Sequence, residues 1–112
     1  MAKEFDGKIA LVTGGSRGIG RAIAAAFARE GAETVLVASS ATNLAAAADA
    51  IAKSGAKTPL TVQADLRQPD QCERVFTTVR DKLGRLDILV NNAGATRAGN
   101  FTDLSEEMWQ DG

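Results

Sequence analysis

At 112 residues, 45% of them hydrophobic and with a formal net charge of −1, the chain has the size and balance of one globular domain. No basic excess points to nucleic acid, no acidic block to a disordered tail, and no apolar stretch approaches the roughly 18 residues of a membrane span. With no histidine and a single cysteine, Cys72, the chain forms no internal disulfide and holds no His/Cys metal site.

The opening MAKEFDGKIALV has no long apolar core after its lysine, so no secretory signal is expected. With the lone cysteine, this fits a reducing, cytoplasmic setting. KIALVTG, residues 8–14, is a short apolar run closed by glycine, the pattern of a strand covered on both faces. Ile19, Ile23 and Phe27 then recur at helical spacing among alanines until Gly31 stops them. ETVLVAS, residues 33–39, reads as a second buried strand. The next segment places Leu44, Ala47, Ala48 and Ile51 on one helical face and ends at Gly55. PLTVQAD, residues 59–65, is a weaker third strand. Pro69 suits the first turn of a helix that turns Val75, Phe76 and Val79 inward and ends near Gly84. RLDILVNNAG, residues 85–94, is a fourth buried strand ending in a polar turn. In LSEEMWQDG, Ser105 is placed to cap a last helix, with Glu106 and Glu107 near its positive end.

Apolar strands alternating with helices imply right-handed crossovers, a parallel sheet and helices on both faces. The glycines of VTGGSRGIGR, residues 12–21, therefore fall at the first strand-to-helix turn. Backbone N–H groups at a helix start lack intrahelical partners, and with the helix dipole they form an anion site that a glycine loop lets a pyrophosphate approach. Gly14 and Gly15 allow the turn, Gly18 the approach, and Gly20 the close passage of helix against strand. The loop has no Gly-Lys followed by Ser or Thr, so it is not a P-loop, and no three glycines meet the G-x-G-x-x-G spacing.

What is present is Thr13-Gly14-x-x-x-Gly18-x-Gly20, with Ala64-Asp65-Leu66 closing the third strand and Asn91-Asn92-Ala93-Gly94 closing the fourth. This set resembles the short-chain dehydrogenase/reductase family over essentially the whole chain, and within it the ketoacyl-carrier-protein-reductase-like branch. The resemblance implies the N-terminal half of a Rossmann-type, doubly wound α/β sheet, with residues 1–112 as one NAD(P)-binding domain. It implies that the backbone from Gly14 through Gly15, Ser16, Arg17 and Gly18 to Ile19 holds the pyrophosphate and adjoining ribose, with Ser16 and Arg17 facing the adenosine ribose and Gly20 completing the loop. Asp65 would accept a hydrogen bond from the adenine amino group with Leu66 beside the ring, and Asn92, Ala93 and Gly94 would line the ribose and nicotinamide side. Asp65 has a plainer reading as the start of a turn, and Thr13 and Asn91 read as structural.

NAD-type sites carry a carboxylate at the end of the second strand to hold the ribose 2′-hydroxyl. Here that place is Ala38 followed by Ser39, and Arg17 stands where NADPH-preferring members carry a base, so NADP(H) is expected over NAD(H). The family's chemistry is hydride transfer between the nicotinamide and a small carbonyl or alcohol substrate. Its tyrosine–lysine pair, serine and asparagine would all lie beyond residue 112, and the chain contains no tyrosine. The expectation is thus the cofactor-binding portion of an oxidoreductase, itself inactive, whose full-length parent is a homo-oligomer. The alternative is a stand-alone dinucleotide-binding or interaction module without catalysis. No nucleic-acid or membrane partner and no metal are expected.

Overall fold

A computed structural model describes residues 4–14 and 18–92. Its elements follow in chain order: β1 (Ile9–Thr13), α1 (Gly18–Arg29), β2 (Glu33–Ala38), α2 (Ala41–Lys53), β3 (Leu60–Gln63), α3 (Pro69–Leu83) and β4 (Ile88–Asn91). The sheet is parallel throughout, in the order β3-β2-β1-β4. All four strands therefore end on one edge. In register there, Thr13 lies between Val37 of β2 and Asn91 of β4, and Ala38 lies beside Gln63 of β3. The sequence-predicted last helix, with Ser105, falls outside the described residues.

Successive strand residues point to opposite faces, and this parity builds two cores. Ile9, Leu11, Val35, Val37 and Val62 pack against Val75, Phe76 and Val79 of α3. Val12 and Leu36 meet Ala24 and Ala28 of α1 and Leu44, Ala47 and Ile51 of α2 on the other face. Full burial of each Val, Leu or Phe stabilises the fold by about 1.5–3 kcal/mol. The central strands β1 and β2, covered on both sides, read as almost unbroken apolar runs for this reason. Thr13 and Thr34 are their buried polar residues, and the Thr34 hydroxyl finds no hydrogen-bond partner among the described residues.

Helix α2 buries the four residues its periodicity predicts, Leu44, Ala47, Ala48 and Ile51. Ser40 caps it, its hydroxyl oxygen accepting the Asn43 N–H at 3.1 Å. Helix α3 begins at Pro69, buries Val75, Phe76 and Val79 as expected, and adds Cys72. Burial pushes the Cys72 thiol above its ordinary range, so it is a packed, unreactive group.

Helix α1 forms where the spacing of Ile19, Ile23 and Phe27 places a helix, but these are not the residues it buries. Its buried stripe is Gly20, Ala24 and Ala28, while Ile19 is 72% exposed and Ile23 and Phe27 are half-buried. The reason is distance. A Cβ on Gly20 would stand 2.2 Å from the Gly14 carbonyl oxygen, so the helix start lies too close to the sheet for any large side chain. Phe27 instead meets the Phe5 ring edge-on, at 5.1 Å between centroids.

Strand β4 corrects the expectation of a buried strand. Ile88, Leu89 and Val90 are half-buried, because among the described residues β4 is the outer strand and pairs only with β1. At the strand starts, Asp87 clamps β4 to β1. Its N–H donates to the Ile9 carbonyl at 3.0 Å, and its Oδ2 accepts from the Ile9 N–H at 2.8 Å and from Arg85 Nε at 3.1 Å. The Ile9 N–H, with help from Arg85 and Lys8, holds the Asp87 carboxyl below its ordinary value of 3.8.

Candidate functional site

The site is built where the strands end. At the end of β1 the chain leaves through Gly14, whose φ of +66° is a left-handed conformation open mainly to glycine, and α1 starts at Gly18 with φ +55°. The Gly14 N–H donates to the Val37 carbonyl at 2.8 Å, so the turn is anchored to β2. Open space lies where a Gly18 side chain would project, whereas Gly20 faces backbone on one side and the Asn92 amide nitrogen on the other, 2.8 Å from an added Cβ. The three described glycines thus differ in surroundings: Gly14 makes a turn, Gly18 has open space beside it, and Gly20 sits at a close passage. Ile19, on the exposed side of the same first turn, faces outward.

Thr13 ties the end of β1 to β4. Its hydroxyl oxygen accepts the Asn92 N–H at 2.7 Å, and its one hydroxyl proton is shared between the Val90 carbonyl at 3.3 Å and Asn91 Oδ1 at 3.1 Å. The structural parts read for Thr13 and Asn91 are therefore what the geometry shows. Asn92 is left exposed beside the start of α1.

On the other flank, β2 ends at Ala38 and is followed by the exposed Ser39, whose carbonyl accepts from Gln63 Nε2 at 3.0 Å. An open groove of about 550 Å³ runs here, lined by Ser39, Gln63, Ala64, Asp65, Asp70, Gln71 and Arg74. Asp65 is tied at every polar atom. Its N–H donates to Gln71 Oε1 at 2.6 Å, and its carbonyl accepts the Gln68 N–H at 3.0 Å, closing a turn. Its Oδ1 accepts the Arg67 N–H and Nε, both at 3.0 Å, and its Oδ2 accepts Arg67 Nη2 at 3.1 Å. The Arg67 side chain beside it holds the Asp65 carboxyl below the usual carboxylate range. Leu66 packs with Cys72 and Val75 in the α3-side core, and its carbonyl accepts from Cys72 Sγ at 3.3 Å.

Gly14, Gly18, Ile19, Gly20, Ser39, Asp65 and Asn92 therefore gather along one sheet edge, with Leu66 just beneath it. Gly15, Ser16, Arg17, Ala93 and Gly94 lie outside the described residues. The groove adds Arg67 as the partner of Asp65, and Gln71 and Arg74 from the first turns of α3. The signal for them is thin: an Asp-x-Arg spacing and two polar residues early in a helix whose inner face is apolar. Among the described residues no cluster of three or more His, Cys, Asp or Glu is placed to hold a metal ion, and no helix is long and apolar enough to cross a membrane.

An exposed helix N-terminus behind a glycine turn, at the C-terminal edge of a parallel sheet, is a place for an anionic ligand. Comparison with known proteins agrees in kind. The chain is 43% identical over 107 residues to the 3-oxoacyl-acyl-carrier-protein reductase FabG of Escherichia coli K12, covering 96% of this chain and 42% of that protein. A solved metagenomic short-chain oxidoreductase in complex with NADP is 40% identical, with a TM-score of 0.77 over 81% of this chain and 40% of its own. The apo glucose dehydrogenase of Caenorhabditis elegans is 33% identical, with a TM-score of 0.82 over 93% of this chain and 49% of its own. The chain thus spans less than half the length of these relatives. The sequence model of the short chain dehydrogenases matches residues 8–112, and the chain belongs to that family.

Proposed function

We propose that this chain is the NADP(H)-binding portion of an oxidoreductase that passes hydride between the nicotinamide and a carbonyl or alcohol carbon. The observation that carries the reading is the end of β2, where Ala38 and Ser39 offer no carboxylate. An acid there would hold a ribose 2′-hydroxyl and repel a 2′-phosphate; its absence leaves room for the phosphate. Arg17, within the glycine loop, is the residue proposed to meet that phosphate. Support also comes from the NADP bound to the 40%-identical metagenomic relative. In this reading the pyrophosphate sits against the N–H groups at the start of α1, with Gly15 and Ser16 completing the loop. The adenine lies toward Asp65 and Leu66, and Asn92, Ala93 and Gly94 flank the ribose and nicotinamide side.

Bound there, the dinucleotide supplies the hydride. The residues of this chain bind and orient it, and the narrow passage at Gly20 fixes how the helix N-terminus presents its N–H groups. Calorimetric titration with NADPH tests the reading: saturable one-site binding is expected, and Arg17→Ala should weaken it. Absence of saturable binding to the folded chain would overturn it.

A further inference from the structure

We propose that Arg67 is a positioning residue for base recognition, occupying the Asp65 carboxylate so that one Oδ2 acceptor is left for the exocyclic amino group of an adenine. An ionised carboxylate has about four acceptor sites, two on each oxygen. Among the described residues Arg67 fills three of them: its backbone N–H and Nε both point to Oδ1, and Nη2 points to Oδ2. The fork of the guanidinium also fixes the plane of the carboxylate, which a point charge would not do. The backbone of Asp65 is equally constrained, by Gln71 at its N–H and Gln68 at its carbonyl. The remaining acceptor therefore has a set direction beside the open groove that Asp65 lines with Ser39 and Gln63.

A 6-amino group donates to such an acceptor. A 6-oxo group, as in hypoxanthine, presents a lone pair to it instead and is repelled. The Arg67 side chain is itself 69% exposed and takes no part in either core, so its removal leaves the fold in place. The proposal rests on the assignment of the adenine to Asp65.

The test compares calorimetric affinities for NADPH and its hypoxanthine analogue in the unsubstituted chain, Arg67→Ala, Arg67→Lys and Asp65→Ala. A hydrogen bond to a charged group predicts that the unsubstituted chain prefers NADPH by about tenfold or more. Arg67→Ala is expected to cut that ratio to about a third or less while NADPH still binds, because a freed carboxylate swings away from the 6-oxo group. Arg67→Lys, which keeps the charge but loses the fork, is expected to do the same. Adding Arg67→Ala to Asp65→Ala should change the ratio no further. A ratio untouched by Arg67→Ala, or restored by Arg67→Lys, overturns the role of Arg67 while leaving the adenine assignment standing. No preference in the unsubstituted chain overturns both.

Discussion

Asp87 and Asp65 stand at opposite ends of the strands and are held below the ordinary carboxylate range by a backbone N–H and a neighbouring arginine, Arg85 Nε alone at Asp87 and the Arg67 fork at Asp65. At Asp87 the largest cause is the Ile9 N–H, which exists as a partner only when β1 and β4 are paired. The folded carboxyl thus releases its proton more readily than the unfolded one, whose ordinary value is 3.8. As pH falls, the unfolded chain takes up this proton first. The stabilisation from Asp87 is therefore whole above that value and lost as pH drops through the lower, folded one. Asp87→Asn should lower the urea midpoint at neutral pH, and the gap to the parent should close in acid. Melts followed by circular dichroism across the acid range check this, and a gap that stays constant with pH would contradict the assignment. The same residue shows what a motif hides. Asp87 stands just ahead of the apolar run Ile88–Val90, and only the register of Ala10 against Ile88 reveals it as the clamp.

At the scale of elements, most of the fold is legible because each strand and helix carries one dominant pattern. The α2 face and the Pro69 start of α3 were set by local spacing and local sterics, and both are found where these place them. Helix α1 is different. Its largest apolar residues, Ile19, Ile23 and Phe27, mark a helical period, yet the face against the sheet is the row of small residues beside them. Periodicity reports amphipathicity but not how near two backbones come, and at Gly20 nearness decides. The turn at Asp65 is a similar case: a strand-ending motif marks the position, but the Arg67 fork arises from the folded turn. Strand β4 carries the clearest consequence. It is apolar, half-buried and, among the described residues, hydrogen-bonded along one side, so its other edge is the one placed to offer backbone groups to another chain. The 112-residue chain is expected to self-associate at micromolar concentration, and Val90→Lys should shift it toward monomer. Light scattering checks this, and a monodisperse monomer of the unsubstituted chain would contradict it.

Across the whole molecule, parallel strands deliver their C-terminal ends to one edge, and chemistry separated by more than seventy residues meets there. Thr13 reaching Asn92 is the plainest instance. That edge, with the described glycines, Ser39, Asp65 and Asn92, is the one proposed above to hold the cofactor. Reduction of a carbonyl also needs a proton donor, and general acid–base help is typically worth about 10²–10⁴ in rate. The chain has no tyrosine to fill the donor role known in its family. By itself it is expected to leave NADPH absorbance unchanged with ketones, aldehydes or acetoacetyl thioesters; stereospecific turnover by the purified chain would contradict this. The central claim is narrower, that this edge is shaped for a 2′-phosphorylated dinucleotide, and its most direct test is the ratio of NADPH to NADH affinity in one calorimetric series. A charge-assisted bond to the 2′-phosphate is worth about 1.5–3 kcal/mol, which predicts NADPH binding about ten- to a hundredfold tighter, and NADH binding as tightly as NADPH or more so would contradict it.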